Sequence, residues 1–209
     1  IAINLANQGY NIVVHFNNSK TDAQKLVKEI KNIGVEAFSI SLDLNKTSKI
    51  KSFFDDAIKR AKNIQLLINN ASLFEFDNLN NLSEKSFDNH ININLKAPIL
   101  LSKYFIENLG KKKGSIINML DQRVTNITPY FLSYTISKVG LYAFTKNQAL
   151  SLAPNIRVNA IAPGPTLKST RQNFKQFNEQ IKRTPLKNKV SLDDINDGIN
   201  FLNKNQSVT

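Results

Sequence analysis

Short runs of β-branched and apolar residues alternate along this chain with longer segments in which apolar positions recur every three or four residues. That alternation predicts βαβ units and hence a parallel sheet covered by helices on both faces. Asn11–Phe16, Val35–Ser41, Ile64–Asn69, Ser115–Leu120 and Ile156–Ile161 read as buried strands. A helix over Thr21–Asn32 places Ala23, Leu26, Val27 and Ile30 on one face and stops at Gly34. The next, over Thr47–Lys62, carries Ile50, Phe53, Phe54, Ala57, Ile58 and Ala61 at helical spacing. Long helical regions follow over Ser83–Leu109, with Ser83 as its candidate cap, and over Tyr130–Leu152, bounded by Thr128-Pro129 and Pro154. Beyond Pro163-Gly164-Pro165 the chain reads as mostly helical, with Ser191 or Asp193 capping the last helix. The opening Ile1–Gln8 reads as the body of a helix, and no closing strand is legible before Thr209. A doubly wound fold begins with a strand and a glycine-rich turn, so truncation at both ends is the expectation.

Composition narrows the function classes. The 209 residues are most economically one domain. There is no cysteine, and the two histidines stand far apart, so no metal site is expected. No stretch approaches the roughly 18 to 20 apolar residues of a membrane span, and the start lacks the basic region of a signal peptide. A soluble cytoplasmic protein with no membrane partner is the plain reading. The formal charge of +12 raises the question of nucleic acid. The lysines are spread over nearly every segment, however, which favours a solvated basic surface over a nucleic-acid partner.

In an open parallel sheet, ligands collect at the carboxyl ends of the strands. Here those ends carry His15–Ser19, Asp43, Asn69-Asn70-Ala71-Ser72, Asp121 and Pro163-Gly164. The helix after Asp121 contains Tyr134 and Lys138, a Tyr-x-x-x-Lys pair that shares one helical face. A cation close to a phenol favours tyrosinate and brings it toward working pH. Tyr142 and Lys146 repeat the spacing, so the pair alone is a weak signal.

Taken together, these residues resemble the short-chain dehydrogenase/reductase family over nearly the whole chain. Asn69-Asn70-Ala71 matches its Asn-Asn-Ala-Gly motif, Asn94 its helix asparagine, and Ile156–Gly164 its Ile-Arg-Val-Asn-x-x-x-Pro-Gly segment. The resemblance implies a Rossmann-like doubly wound α/β fold, with Tyr134 as the catalytic tyrosine and Tyr142 as a packing residue. It further implies that Lys138 binds nicotinamide ribose and lowers the tyrosine pKa, and that Asn94 holds a water chain by distorting its helix. Asn70, Ala71, Ser72, Pro163 and Gly164 would line the cofactor. A homotetramer joined through the two long helices is also implied.

One position departs from the common pattern. Thirteen residues before the tyrosine the family carries a serine, and here stands Asp121. Pteridine reductases and dihydromonapterin reductases resemble this chain there. A C=N bond needs a proton on nitrogen as hydride reaches carbon, which a carboxyl group can relay; alternatively the carboxylate binds the amino-pyrimidine edge. Phe74 matches a phenylalanine that stacks on the flat pterin in those relatives, although Phe74 and Phe76 are also read as ordinary loop aromatics. The substrate site would thus comprise Ser72, Phe74, Asp121 and Tyr134.

An NAD site needs an acid at the end of the first legible strand to hold the ribose 2′-hydroxyl. His15, Asn17, Asn18 and Ser19 include none, and Lys20 follows, which favours NADPH. Asp43 and Leu44 would lie against adenine, with a helix cap as the other reading of Asp43. The expected activity is NADPH-dependent reduction of a dihydropterin or dihydrofolate-type C=N bond. The alternatives are a carbonyl reductase of the 3-oxoacyl thioester type and a non-catalytic nucleotide-binding relative.

Overall fold

The computed structural model describes residues 1–169 and 172–209. Five parallel strands form in two groups: β1 (Ile12–Phe16) pairs with β2 (Ala37–Ser41), and β3 (Leu66–Asn69), β4 (Gly114–Met119) and β5 (Ile156–Ile161) pair in that order. The strands lie where the β-branched runs predicted them: β1, β2 and β3 start one or two residues later, β4 is shifted one residue earlier, and β5 keeps its predicted bounds. β4 is central to its sheet and buried along almost its whole length, which is why it reads as a continuous apolar run rather than an alternation. Its neighbouring residues Ile116 and Ile117 point to opposite faces and seed different cores.

On one face Ile116, Ile156 and Val158 pack against Phe54 of α3 (Ile50–Ala61) and against Phe105 and Leu109 of α5 (Ala97–Leu109). On the other, Ile117 and Met119 pack against Leu5 of α1 (Ala2–Ala6) and Ile195 and Ile199 of α8 (Leu192–Lys204). The first of these helices and α2 (Lys20–Ile33) cover β1 and β2 through Ala6, Ile30 and Ala37. Helices therefore occupy both faces, as the pattern predicted. Each fully buried isoleucine in these layers contributes about 1.5–3 kcal/mol relative to exposure.

Differences from the sequence reading cluster where polar chemistry overrides periodicity. The helix read over Thr47–Lys62 opens as a 3₁₀ turn over Thr47–Lys49. The region read as one helix over Ser83–Leu109 contains α4 (Glu84–Ile91), a π-helical turn over Asn92–Lys96, and α5. Ser83 caps its start, accepting from the Ser86 N–H at 3.2 Å. α6 (Leu132–Leu152) begins two residues later than predicted, because Phe131 sits in the left-handed region at φ 61°. Beyond Pro163 the described residues, which leave out 170 and 171, are helical only over α7 (Phe174–Lys182) and α8. Ser191, not Asp193, caps α8, in a reciprocal capping box with Asp194. Among the described residues no helix is long and apolar enough to cross a membrane.

A buried polar ladder sets the rotation of α6 about its axis. Asn69 Nδ2 donates to Asn118 Oδ1 at 2.8 Å, Asn118 Nδ2 to Thr145 Oγ1 at 2.9 Å, and Thr145 Oγ1 to the Leu141 carbonyl at 2.8 Å. Such a seam is costly unless its members find each other, so it ties α6 to β3 and β4 in one orientation. Gly140 permits the π turn to approach this helix: a Cβ there would come within 2.8 Å of the Leu95 side chain. Arg157 and Asn159, from the Ile-Arg-Val-Asn segment, face away from the strand ends. Arg157 donates to the carbonyls of Leu202, Asn203 and Val208, and Asn159 to that of Val208, binding the end of the chain to β5.

Candidate active site

Tyr134 lies near the start of α6 and Lys138 one turn later, both buried on the face that the polar ladder turns toward the carboxyl end of β4. The Tyr134 hydroxyl donates to Asp121 Oδ2 at 3.0 Å. Asp121 is the second residue after β4; its Oδ1 accepts from the Arg123 backbone N–H at 2.9 Å, and this fixes the carboxylate. Lys138 Nζ donates to the Met119 carbonyl at 2.7 Å. Strand end, turn and helix thus converge on one spot because α6 packs alongside β5 and over the end of β4.

Electrostatics at this spot run against one expectation. Burial, and then the Asp121 carboxylate beside it, push the Tyr134 phenol above its ordinary value; the Arg123 charge and the Ser72 hydroxyl oppose them. Lys138 was expected to pull the phenol down, but its ammonium is directed at the Met119 carbonyl, and the tyrosine remains a protonated donor. Burial pushes Lys138 itself down to about 8, against the attraction of Asp121. Its cation is present below that pH and lost above it. Activity is therefore expected to fall on the alkaline side with an apparent pKa near 8, read from initial rates between pH 6 and 10; a flat profile across that range would rule Lys138 out as the titrating group.

Asn94 sits in the π turn, the distortion expected of it, and is fully enclosed. Its amide clamps the Leu73 backbone, accepting from the N–H at 2.7 Å and donating to the carbonyl at 2.8 Å, and it also donates to Ser137 Oγ at 3.1 Å. Ser137 Oγ in turn donates to the Tyr134 carbonyl at 2.7 Å. The loop after β3 is thereby locked to α6. Phe74, next in that loop, stacks on Phe131 with centroids 4.5 Å apart and meets Tyr134 edge-on at 4.7 Å.

A cleft of about 270 Å³ opens beside Tyr134 and Lys138, and Asn70, Ser72, Pro163 and Leu167 complete the part that matters here. Ala71, Phe74, Asp121 and Gly164 adjoin these residues in sequence or contact without lining the cleft itself. The remaining predicted residues stand elsewhere, at the ends of β1 and β2. His15 turns inward, its Nε2 2.8 Å from the Leu42 carbonyl, and burial pushes its pKa down. Asn17, Asn18 and Ser19 are exposed. The Asp43 carboxylate accepts from the Asn45 N–H at 3.0 Å, a turn contact and not a helix cap. Leu44 is buried in a core cluster with Leu42, Ile50 and Ala97, which leaves its backbone for any ligand. Tyr142, expected to pack, is partly exposed with Lys146 5.5 Å above its ring.

Three residues at the site escaped the sequence reading. Asp77 is buried and receives the Ser133 N–H at the start of α6, while its carbonyl receives that of Phe131. His90, also buried, accepts from the Glu75 N–H at 3.2 Å and so holds the same loop. Arg123 stands against Asp121, and its place just beyond the carboxyl end of a central strand was the available signal.

The family described as Enoyl-(Acyl carrier protein) reductase matches residues 1–209. A 3-oxoacyl-[acyl-carrier-protein] reductase, FabG, from Staphylococcus epidermidis is 33% identical over 166 residues, 78% of this chain and 68% of the relative. The chain belongs to the short-chain dehydrogenase/reductase family. A member from Pestalotiopsis microspora is 30% identical over 80% of this chain and 63% of its own length. The crystal structure of FolM alternative dihydrofolate reductase 1 from Brucella canis, complexed with NADP, superimposes on all of this chain and 84% of the other with a TM-score of 0.94 and 36% identity. Its counterpart from Brucella suis, also in complex with NADP, matches equally well, at 36% identity over 85% of that chain.

Proposed function

We propose that this short-chain oxidoreductase uses NADPH to reduce a C=N bond of a dihydropterin or dihydrofolate-type substrate. The observation that carries the reading is the 3.0 Å hydrogen bond from the Tyr134 hydroxyl to Asp121, a carboxylate standing where the family commonly has a serine hydroxyl. A nicotinamide nucleotide fits the residues around the cleft. Lys138 spends one of its three N–H bonds on Met119, which leaves two for ribose hydroxyls. Asn17, Asn18 and Ser19 are exposed at the end of β1 and bring no carboxylate to repel a 2′-phosphate. When bound, that cofactor supplies the hydride.

The chain's own residues manage the proton. Tyr134 keeps its phenolic proton because burial and the neighbouring carboxylate both disfavour tyrosinate. Asp121 holds that hydroxyl in place; as hydride reaches the substrate carbon, Tyr134 gives its proton to the ring nitrogen, and a proton from solvent, relayed through the Asp121 carboxylate, restores the phenol. Lys138 balances the negative charge of Asp121. Phe74 offers an aromatic face of the kind that suits a planar ring, backed on its other side by Phe131. The exposed Ile136, Tyr142 and Leu150 of α6 suit a self-association face, and a homotetramer through the long helices is part of the same reading.

A second reading, reduction of a 3-oxoacyl thioester, is favoured by the name and identity of the staphylococcal relatives. The discriminating measurement is NADPH oxidation by the full-length protein with dihydromonapterin, dihydrobiopterin, dihydrofolate and acetoacetyl-coenzyme A. Turnover of at least one pterin or folate is expected. Turnover of the thioester alone would replace the first reading with the second.

A further inference from the structure

The Arg123 side chain is largely withdrawn from solvent in a manner that its ion pairing does not explain. Its side chain is 12% exposed, its nearest approach to the Asp121 carboxylate is 3.7 Å, and its Nε has neither a protein partner nor contact with solvent. A buried guanidinium with a long ion pair and an orphan donor is less favourable than an apolar side chain of similar size. The same guanidinium lies 4.7 Å from the centroid of the Phe131 ring and 5.6 Å from that of Phe74. Those rings are stacked within 6° of parallel, and Phe74 abuts Tyr134. The charge beside the proton pair and the backing of the aromatic wall are thus one side chain.

We propose that Arg123 is a positioning residue that couples the Asp121–Tyr134 pair to the Phe74–Phe131 wall, and that through this wall it makes the site selective for a flat heterocycle. The selectivity part rests on the dihydropterin reading above. Physically, the planar guanidinium stacks on Phe131 and fixes the tilt of Phe74, while its charge offsets that of Asp121. The groups facing the pair are Arg123 from the turn after β4, Lys138 from α6, and the Ser72 hydroxyl from the loop after β3. Removing the Arg123 cation takes away a charge that lowers the Tyr134 phenol, and it removes a like charge from beside the same carboxylate that attracts Lys138, so the limb set by Lys138 moves upward.

Two variants separate the charge from the stacking. In Arg123→Gln the alkaline limb of the kcat profile, set by Lys138, is expected to move up by about half a pH unit as a like charge beside Asp121 is lost. In Arg123→Lys the limb should stay in place while KM for dihydrobiopterin rises about fivefold, the scale of a lost cation–aromatic stack, and KM for acetoacetyl-coenzyme A should not change. An unmoved limb in the glutamine variant, or equal KM changes for both substrates in the lysine variant, would overturn the proposal. If the glutamine variant does not fold, the lysine variant decides alone through its KM contrast. If wild-type protein reduces only the thioester, the substrate reading fails, and the limb measured with that thioester still decides whether Arg123 acts on the proton pair.

Discussion

Tyr134→Phe is expected to lower kcat about 10²- to 10⁴-fold, the span of general acid catalysis, with NADPH affinity nearly unchanged. The phenol is the group at this site whose proton is both secured and aimed. Burial and Asp121 keep it protonated, and its hydrogen bond to Asp121 fixes its direction. Phenylalanine keeps the edge contact with Phe74 and the start of α6 but has no proton to give. Single-turnover rates at saturating NADPH separate this loss from any change in binding, which quenching or enhancement of NADPH fluorescence reads independently. A variant retaining a substantial fraction of wild-type kcat would remove Tyr134 from the mechanism.

Asp121→Ser is expected to lower reduction of a dihydropterin at least about tenfold, the low side of a proton-relay effect, and to improve reduction of a 3-oxoacyl thioester. Burial still holds the Tyr134 phenol up, but serine removes the negative charge and the acceptor that add to it, so the tyrosine pKa moves part of the way down toward its ordinary value. A hydroxyl donor then stands where charge gathers on a carbonyl oxygen, and no carboxyl group remains to pass a proton to a ring nitrogen. Asp121→Asn tests the charge with little change of shape, and it should share the loss on the pterin. Unchanged dihydropterin rates in both variants would remove Asp121 from the mechanism.

The elements that were legible in advance are those whose residues have a single environment. β4 reads as a strand because both of its faces are covered, and α3 reads as a helix because Ile50, Phe54 and Ala57 fall on one buried stripe. α6 was placed for another reason. Its buried positions include Ser133, Thr135, Ser137, Lys138 and Thr145, which no apolar periodicity marks, and it was recognised by its Tyr-x-x-x-Lys spacing and bounding prolines. The π turn is not marked by its own residues, since Asn92–Lys96 carry no helix breaker, and a distortion at Asn94 was expected from the family resemblance alone. It is imposed from outside by the enclosure of Asn94, whose amide must meet the Leu73 backbone and Ser137.

The same division holds within the site. Sequence spacing places Asp121 thirteen residues before Tyr134 on the carboxyl side of a buried strand, and it puts Tyr134 and Lys138 on one face of a helix. These are local facts, and local periodicity dictates them. Which group each one faces is a long-range fact. That the tyrosine proton points at Asp121, that Lys138 is spent on the Met119 carbonyl, and that Arg123 lies between a carboxylate and two rings follow from how α6, the β4 turn and the loop after β3 pack together. The sequence by itself determined the order of the strands' chemistry and the identity of its carriers. Only the tertiary structure decided their protonation and partners, because burial and charge separations of a few ångströms set those energies, and they arise between segments that the chain keeps far apart.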